Sequence, residues 1–446
     1  MVSYERKEIM EADQNFLQKM VHLQSKNIAQ GICSICSANS YVIEAGMEKA
    51  ASRGMPVLIE STSNQVNQLG GYTGMAPADF RTMVIQIAEK IAFPKEKIIL
   101  GGDHLGPNPW KDKPAEVALQ MGCDLVKEYV RAGFSKIHLD ASMFLGDDTG
   151  DRNEPLPTSI TTERTAILAK SAEEAYRGGG REKTPPVYVI GTEVPSPGGS
   201  EELRHAPAVT RMADLEETIL LTKEAFARHN LGGAWERVIA VVVQPGVEFT
   251  GDKVFDYDRE KFQELKVLLA KFPQLVFEGH STDYQKAEKL KEMVEDKIAI
   301  LKVGPALTFA LREALFMLDL MEGELLKANK IKEQSHLVAV LEEVMLQDPK
   351  YWIRYYRGDE VTKRFALKYS LYDRCRYYWT HPRVQKALGL LLVNLRSAEI
   401  PFSLISQFFP TQAKRVRGEI LAADPVVLIK DWIGQVLDDY YYATEQ

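Results

Sequence analysis

Four cysteines in 446 residues are too few to staple a fold of this size. Cys33 and Cys36 form a CxxC, but no second pair completes a zinc site and the surrounding run is apolar. They read as buried, reduced thiols, as in a reducing compartment. No apolar run approaches the roughly 18 residues needed to cross a bilayer. The N-terminal stretch lacks the basic, apolar and small-residue succession of a secretory leader. A cytosolic protein with no membrane partner is expected. Positive charge is also in deficit, with 55 Lys and Arg against 62 Asp and Glu and a net charge of −7. That excludes a general nucleic-acid binder, which carries a basic excess or stripe. It leaves room for a local basic pocket and an anionic small molecule. A dinucleotide loop is missing as well. The first strand-like run is followed by SANSYVIEAG (37–46), and the glycines of RGGGREK (177–183) precede a strand instead of following one. No nucleotide cofactor is expected.

What the sequence does contain is a repeating alternation. Eight short apolar runs read as buried strands: 28–37, 56–62, 97–103, 136–142, 186–194, 237–244, 274–280 and 297–305. Stretches with helical spacing separate them, such as PADFRTMVIQIAEKIAF (77–93) and DREKFQELKVLLAKF (258–272). Eight strand–helix units predict an α/β fold, a (β/α)8 barrel over residues 1–325. From about residue 326 to 446 the strand runs stop, and helical stretches rich in Tyr, Arg and Leu predict an α-helical extension. Its aromatic content suits packing on the barrel or on a neighbouring subunit, and self-association is expected. Within it, DRCRYYW (373–379) sets two arginines beside three aromatics, either as an inter-helix contact or as a clamp for an anion.

In such barrels chemistry collects at the carboxyl ends of the strands. Reading those ends in order gives Glu60, then Asp103 and His104, then His138 and Asp140, then Glu193, Gln244, Glu278 with His280, and Lys302. Three of the chain's eight histidines fall among them. Glu278 and His280 are two apart and share a face of a regular strand, as do His138 and Asp140. A charge in an apolar run costs several kcal/mol unless it is paired or metal-bound. A set with one inward phase therefore points to a divalent metal site. Imidazole with carboxylate suits Zn²⁺, Mn²⁺, Co²⁺ or Ni²⁺ better than Ca²⁺.

The motifs GICSICSA, LIESTSNQVNQLGGYTGM, GGDHLGPNPW, LVKEYVRAGFSKIHLDASM, GTEVPSPGG, VVVQPGVEF, FEGHSTDYQ, LKVGPALTFALREAL and DRCRYYW span nearly the whole chain. Together they resemble the Z-type subunit family of tagatose-bisphosphate aldolase (GatZ/KbaZ). The resemblance implies kinship with class II, metal-dependent aldolases. Asp103 and His104 match that group's acid/base and metal-ligand pair, and Glu193 with Gly198 and Gly199 matches a metal-binding Glu before a glycine pair. The family's His–Gly–Gly–Ser phosphate loop reads Glu278, Gly279, His280, Ser281 here, and Gln244 stands near a ligand histidine's place. These departures count against a bisphosphate-binding loop. The resemblance also implies a possible Y-type aldolase subunit as partner, with the Z-type chain in a stabilising, non-catalytic role in some accounts and a fructose/tagatose 4-epimerase in others.

Fructose and tagatose differ at C4, whose proton is not alpha to the C2 carbonyl. Without a nicotinamide site, inversion requires cleavage and religation of the C3–C4 bond, with a Lewis acid on the carbonyl and a base for the C4 hydroxyl. The leading expectation is a metal-dependent 4-epimerase acting on a ketohexose or ketohexose phosphate. A class II tagatose-1,6-bisphosphate aldolase and a non-catalytic subunit are the alternatives. His104, Glu193, Gln244 and His280 are assigned to the metal. Asp103 is the proton shuttle, Glu278 a base or further ligand, and Gln65, Asn108, Asp140 and Lys302 hold the sugar or its phosphate.

Overall fold

The computed structural model describes residues 16–179, 184–191 and 207–445. Eight parallel strands close into a barrel in the order β1-β8-β7-β6-β5-β4-β3-β2. They are β1 Ile32–Cys36, β2 Val57–Thr62, β3 Ile98–Leu105, β4 Lys136–Leu139, β5 Val187–Ile190, β6 Val238–Val243, β7 Val276–Gly279 and β8 Ile298–Val303. Seven strands lie inside their apolar runs, and β3 runs two residues past its own, through His104 to Leu105. Near-continuous apolar strands such as VIAVVV in β6 are what burial on both faces demands. The intervening helices turn one apolar stripe to the barrel. In Ala115–Arg131 the buried positions include Ala118, Gly122, Cys123, Leu125, Val126, Tyr129 and Val130, three or four apart.

Alternation assigns the interior. Ser34 and Cys36 face inward from β1 and Glu60 from β2, while Cys33, three residues before Cys36, faces the helices. The two thiols of the CxxC therefore point to opposite sides. Across the ladder Glu60 registers with Gly101 and Gly101 with Lys136. Gly101 is what lets the outer two meet. A Cβ built on it would lie 2.6 Å from the Glu60 side chain, which crosses β3 there to reach Lys136 at 2.7 Å.

The eighth barrel helix, Pro305–Lys327, leads into the C-terminal helices. The segment 349–380 folds over the carboxyl ends of the strands. It is tied down by Thr308 Oγ1 donating to Asp373 at 2.5 Å and Tyr284 Oη donating to the Leu371 carbonyl at 2.8 Å. The last helix, Pro425–Thr444, is capped by Asp424 and packs against helices 40–53, 287–295 and 305–327. From it the fully buried Tyr440 donates to the Thr282 carbonyl at 2.8 Å, beside the loop that carries His280.

Replacing Gly101 by alanine should displace Glu60 from Lys136. Opening a buried ion pair costs about 3–5 kcal/mol. Urea unfolding of the Gly101→Ala chain should show a loss of that order, and a loss under about 1 kcal/mol would mean that the pair shifts freely.

Candidate active site

Charged side chains fill the upper barrel interior and hold one another. Lys136 Nζ, fully buried, sits 2.7 Å from Glu60 and 2.6 Å from Glu278. Lys302 Nζ lies 2.6 Å from Asp103, 3.0 Å from Glu60 and 3.3 Å from Glu278. Ser34 Oγ donates to Glu60 at 2.7 Å, and the Cys36 thiol lies 3.9 Å from both Asp103 and Lys302. Burial alone would raise the Asp103 carboxyl. His104, Lys302 and the His138 hydrogen bond outweigh it and hold Asp103 well below the ordinary range. Glu278 is held down against burial by Lys136, Lys302 and His280. Burial would likewise strip the proton from Lys302, but Asp103, Cys36, Glu278 and Glu60 keep it charged.

Three imidazoles stand above this floor, with ring centres of His104, His138 and His280 between 4.8 and 5.2 Å apart. His104 and Asp103 are adjacent, and strict alternation would put them on opposite faces of β3. The chain resolves this by a left-handed residue. His104 has φ +49°, and the β3–β4 register shifts between Gly102 and Leu105. Strain of this kind in a non-glycine residue persists only where the surroundings enforce it. Each imidazole meets a carboxylate, His280 Nε2 lying 3.1 Å from Glu278 Oε1. His104 Nδ1 lies 3.1 Å from Asp140 Oδ2, and His138 Nδ1 lies 2.9 Å from Asp103 Oδ1. A carboxylate on one ring nitrogen fixes the tautomer and leaves the other nitrogen for a metal. In His138 that other nitrogen, Nε2, is buried with no hydrogen-bond partner. Burial pushes His280 down to about 3, so it is neutral at pH 7. Burial opposes a proton on His104 too, but Asp103 and Asp140 overcome it and raise His104 above its usual value. Asp140 falls to about 2, its burial outweighed by the His104 hydrogen bond.

The donor set fits a divalent cation. Asp103, His138, Glu278 and His280 each offer a ligand atom, all within 4.8 Å of one another. Four buried carboxylates (Glu60, Asp103, Asp140, Glu278) face two lysines, which leaves two negative charges before any imidazole takes a proton. Imidazole nitrogens at about 2.0–2.1 Å from a shared ion put ring centres roughly 5 Å apart, the spacing seen here.

The floor opens into a cavity of about 510 Å³ at the carboxyl ends of the strands. Of the residues expected from the sequence, Asp103, His104, His280, Gln65, Asn108 and Lys302 line it. Glu278 lies beneath, on Lys136. Asp140 stands behind His104, where its carboxylate also accepts from Ser142, so it positions an imidazole instead of meeting a sugar. Gln244 is not brought to the group. Its Oε1 accepts from the Gly246 N–H at 2.8 Å, closing the turn after β6. Glu193 lies outside the described residues. Lys136 was missed, although it stands in phase with His138 and Asp140 in KIHLD. For DRCRYYW the sequence admits both an inter-helix contact and an anion clamp. Tyr351, Arg354, Arg376 and Tyr377 line the cavity, with Tyr377 stacked on Tyr351 at 4.6 Å and edge-on to Tyr72 at 4.7 Å.

Comparison with known proteins follows the same lines. A family model described as "D-tagatose-1,6-bisphosphate aldolase subunit GatZ/KbaZ-like" matches residues 17–445. The chain belongs to this family. It is 48% identical to the GatZ subunit of D-tagatose-1,6-bisphosphate aldolase from Klebsiella pneumoniae, over 92% of this chain and 95% of the relative. It is equally 48% identical to the Escherichia coli O1:K1 subunit, over 92% and 96%. A crystal structure described as a probable tagatose 6 phosphate kinase from Sinorhizobium meliloti superposes with a TM-score of 0.83 at 44% identity, covering 93% of this chain and all of that one. The relatives favour the aldolase-subunit alternative over the 4-epimerase that the sequence chemistry put first. No described helix is long and apolar enough to cross a membrane.

If these donors hold an ion, Mn²⁺, Co²⁺ or Zn²⁺ should raise the melting temperature, and Glu278→Gln should remove the shift. The ion competes with the proton that Asp103 and Asp140 keep on His104. Affinity should therefore fall as pH drops through that raised value, by up to about tenfold per unit. Titration calorimetry over about pH 5 to 8 reads this directly, and a pH-independent affinity would mean that His104 does not join these donors.

Proposed function

We propose that this chain carries a working divalent-metal site for making and breaking the C3–C4 bond of a ketohexose phosphate, as a Z-type subunit of a tagatose-1,6-bisphosphate aldolase. The observation that carries the reading is the three-imidazole, four-carboxylate floor, whose carboxylates outnumber its lysines by two. His138, Glu278 and His280 of the four-residue donor group would hold the ion, with His104 Nε2 beside them in place of Asp103, whose carboxylate is already engaged by His138 and Lys302. When bound, it supplies a Lewis acid for the ketose carbonyl and the neighbouring hydroxyl. The chain's own groups do the rest. Asp103 is ionised and accepts the proton of the C4 hydroxyl as the bond opens. Against burial, its proton affinity is held down by His104 and by Lys302, 2.6 Å away, so a substrate hydroxyl that draws Lys302 off raises Asp103 toward the range a general base needs. Asp140 keeps His104 oriented, Gln65 and Asn108 meet sugar hydroxyls, and Lys136 holds Glu278 in place. In this reading the chain acts beside a Y-type subunit.

A second reading, a 4-epimerase on the same machinery, is favoured by one feature. The segment 349–380 lies over the mouth, where it would retain both halves of a cleaved sugar long enough for religation on the other face.

The test is the pure chain with each of Mn²⁺, Co²⁺, Ni²⁺ and Zn²⁺, then chelator, on tagatose 1,6-bisphosphate, fructose 6-phosphate and tagatose 6-phosphate, with products separated by chromatography. Free triose phosphates support the aldolase. Interconversion of the 6-phosphates without trioses supports the epimerase. Silence on every substrate, with the Y-type subunit present or absent, leaves a non-catalytic role. Asp103→Asn should keep the ion and lose about 10²–10⁴ in rate, the usual worth of a positioned base. His104→Ala should lose the ion itself, as read by metal content. An Asp103→Asn chain that turns over normally removes Asp103 from the chemistry.

A further inference from the structure

The cavity mouth is basic in a protein of net charge −7. Lys111 comes from the turn after β3, and Arg354 and Arg376 come from the segment over the mouth. All three line the cavity that Asp103, His280 and Lys302 line below. Among the described residues, none of the three pairs with a carboxylate. Lys111 and Arg354 are exposed. Arg376 is half-buried and pinned by the carbonyls of Tyr372 and Asp373, the latter at 3.0 Å, and by the Tyr377 hydroxyl at 3.2 Å. Against its burial, Tyr377 and Asp373 favour the Arg376 charge, and an anion at the mouth would add charge-assisted hydrogen bonds to a guanidinium already fixed in place. The field is felt locally. Burial would raise the Tyr377 hydroxyl, yet Arg376 and Arg374 bring it below the usual tyrosine value.

The place where barrels of this kind usually hold a phosphate is closed. That cradle is made by the loops after strands 7 and 8 and a helix N-terminus. Here Asp283, from the loop after β7, occupies it. Its Oδ1 accepts from the N–H groups of Gly304 at 3.0 Å and Ala306 at 2.8 Å, at the start of helix 305–327. A carboxylate already on those donors excludes a phosphate both by position and by charge.

We infer that the C-terminal extension supplies the substrate's phosphate subsite, with Lys111, Arg354 and Arg376 binding the phosphate monoester of a ketohexose 6-phosphate. The assignment to C6 rests on the proposed bond chemistry. C2 to C4 must lie at the inner donors, so the phosphate at the mouth is on the far end of the chain and not on C1. The position of the phosphate rests on the cations alone. The subsite reads the 6-phosphate of a mono- or bisphosphate alike, because the second cradle is filled by Asp283 and adds nothing for C1.

Titration calorimetry of the full chain against fructose 6-phosphate, fructose 1,6-bisphosphate, fructose and inorganic phosphate tests this. It compares the wild type with a Lys111→Ala/Arg354→Ala double variant, whose two side chains make no hydrogen bond or ion pair among the described residues. Fructose 6-phosphate should bind at least tenfold tighter than fructose, and the added 1-phosphate should change affinity less than threefold. The double variant should lose at least tenfold for fructose 6-phosphate and weaken inorganic phosphate as well, with fructose moved less than twofold. An unchanged affinity of the variant for fructose 6-phosphate overturns the subsite. So does a tenfold gain from the 1-phosphate, or a wild type that binds none of the four. Binding that follows these residues while no C3–C4 chemistry is found leaves the subsite standing and removes the catalytic reading. Metal-dependent turnover with phosphate affinity indifferent to the variant does the reverse.

Discussion

The interaction on which the rest depends is the ion network that crosses the barrel: Glu60 to Lys136, Lys136 to Glu278, Glu278 to Lys302, and Lys302 to Asp103. Ions out of water cost several kcal/mol each, and only mutual pairing offsets it. Each residue here is therefore fixed by two others, and none can rotate to solvent without stranding a partner. The network also sets protonation. Lysines within 3.3 Å keep Asp103 and Glu278 ionised, and burial keeps His280 neutral, which is the state in which both residue types ligate a metal. The order built into the floor is paid for elsewhere in the fold. Gly101 gives up its side chain so that Glu60 can span β3, and His104 accepts a left-handed backbone so that two neighbouring residues face one cavity.

The floor and its cover are mechanically joined. Tyr440 of the final helix supports the Thr282 carbonyl, and Thr282 Oγ1 donates to the Lys302 carbonyl at 2.6 Å. The same loop contains His280 and Asp283. Thus the end of the chain braces the loop that supplies an imidazole, and an earlier part of the extension closes the mouth above it. The C-terminal helices are an addition to the barrel in sequence, yet in space they complete the cavity from below and from above.

Much of this was legible in the sequence, and the limits have physical causes. Strands buried on both faces must be apolar throughout, so all eight stood out against amphipathic helices. Polar residues at their ends were equally plain, since isolated charges in apolar runs have few uses. Alternation correctly grouped Glu278 with His280. It gave no warning of Asp103 with His104, because the left-handed turn at His104 is a property of the assembled site and not of the local pattern. Lys136 was overlooked because it opens its strand, where a charge reads as a boundary. Its partner Glu60 is 76 positions away. Gln244 looked like a ligand by position along the strand, but a side-chain amide two residues before a glycine finds that glycine's N–H first. Above all, the cap could not be placed from sequence, since nothing local in DRCRYYW says which end of the barrel it meets.

That placement bears on how one site divides between two outcomes. Cleavage of C3–C4 and inversion at C4 share every step up to the free aldehyde. The metal, the base and the ketose-derived half are the same in both. They part on whether the aldehyde leaves or turns over and is attacked on its other face. Under the proposed function this choice belongs to the cover and not to the floor. A phosphate held by Arg354 and Arg376 is on the aldehyde half, because C6 travels with C4. Holding that half while its carbonyl rotates favours religation, and a mouth that releases the phosphate favours cleavage. The floor residues would then decide whether the bond opens, and the strength of the cap's grip on the phosphate would decide which product forms.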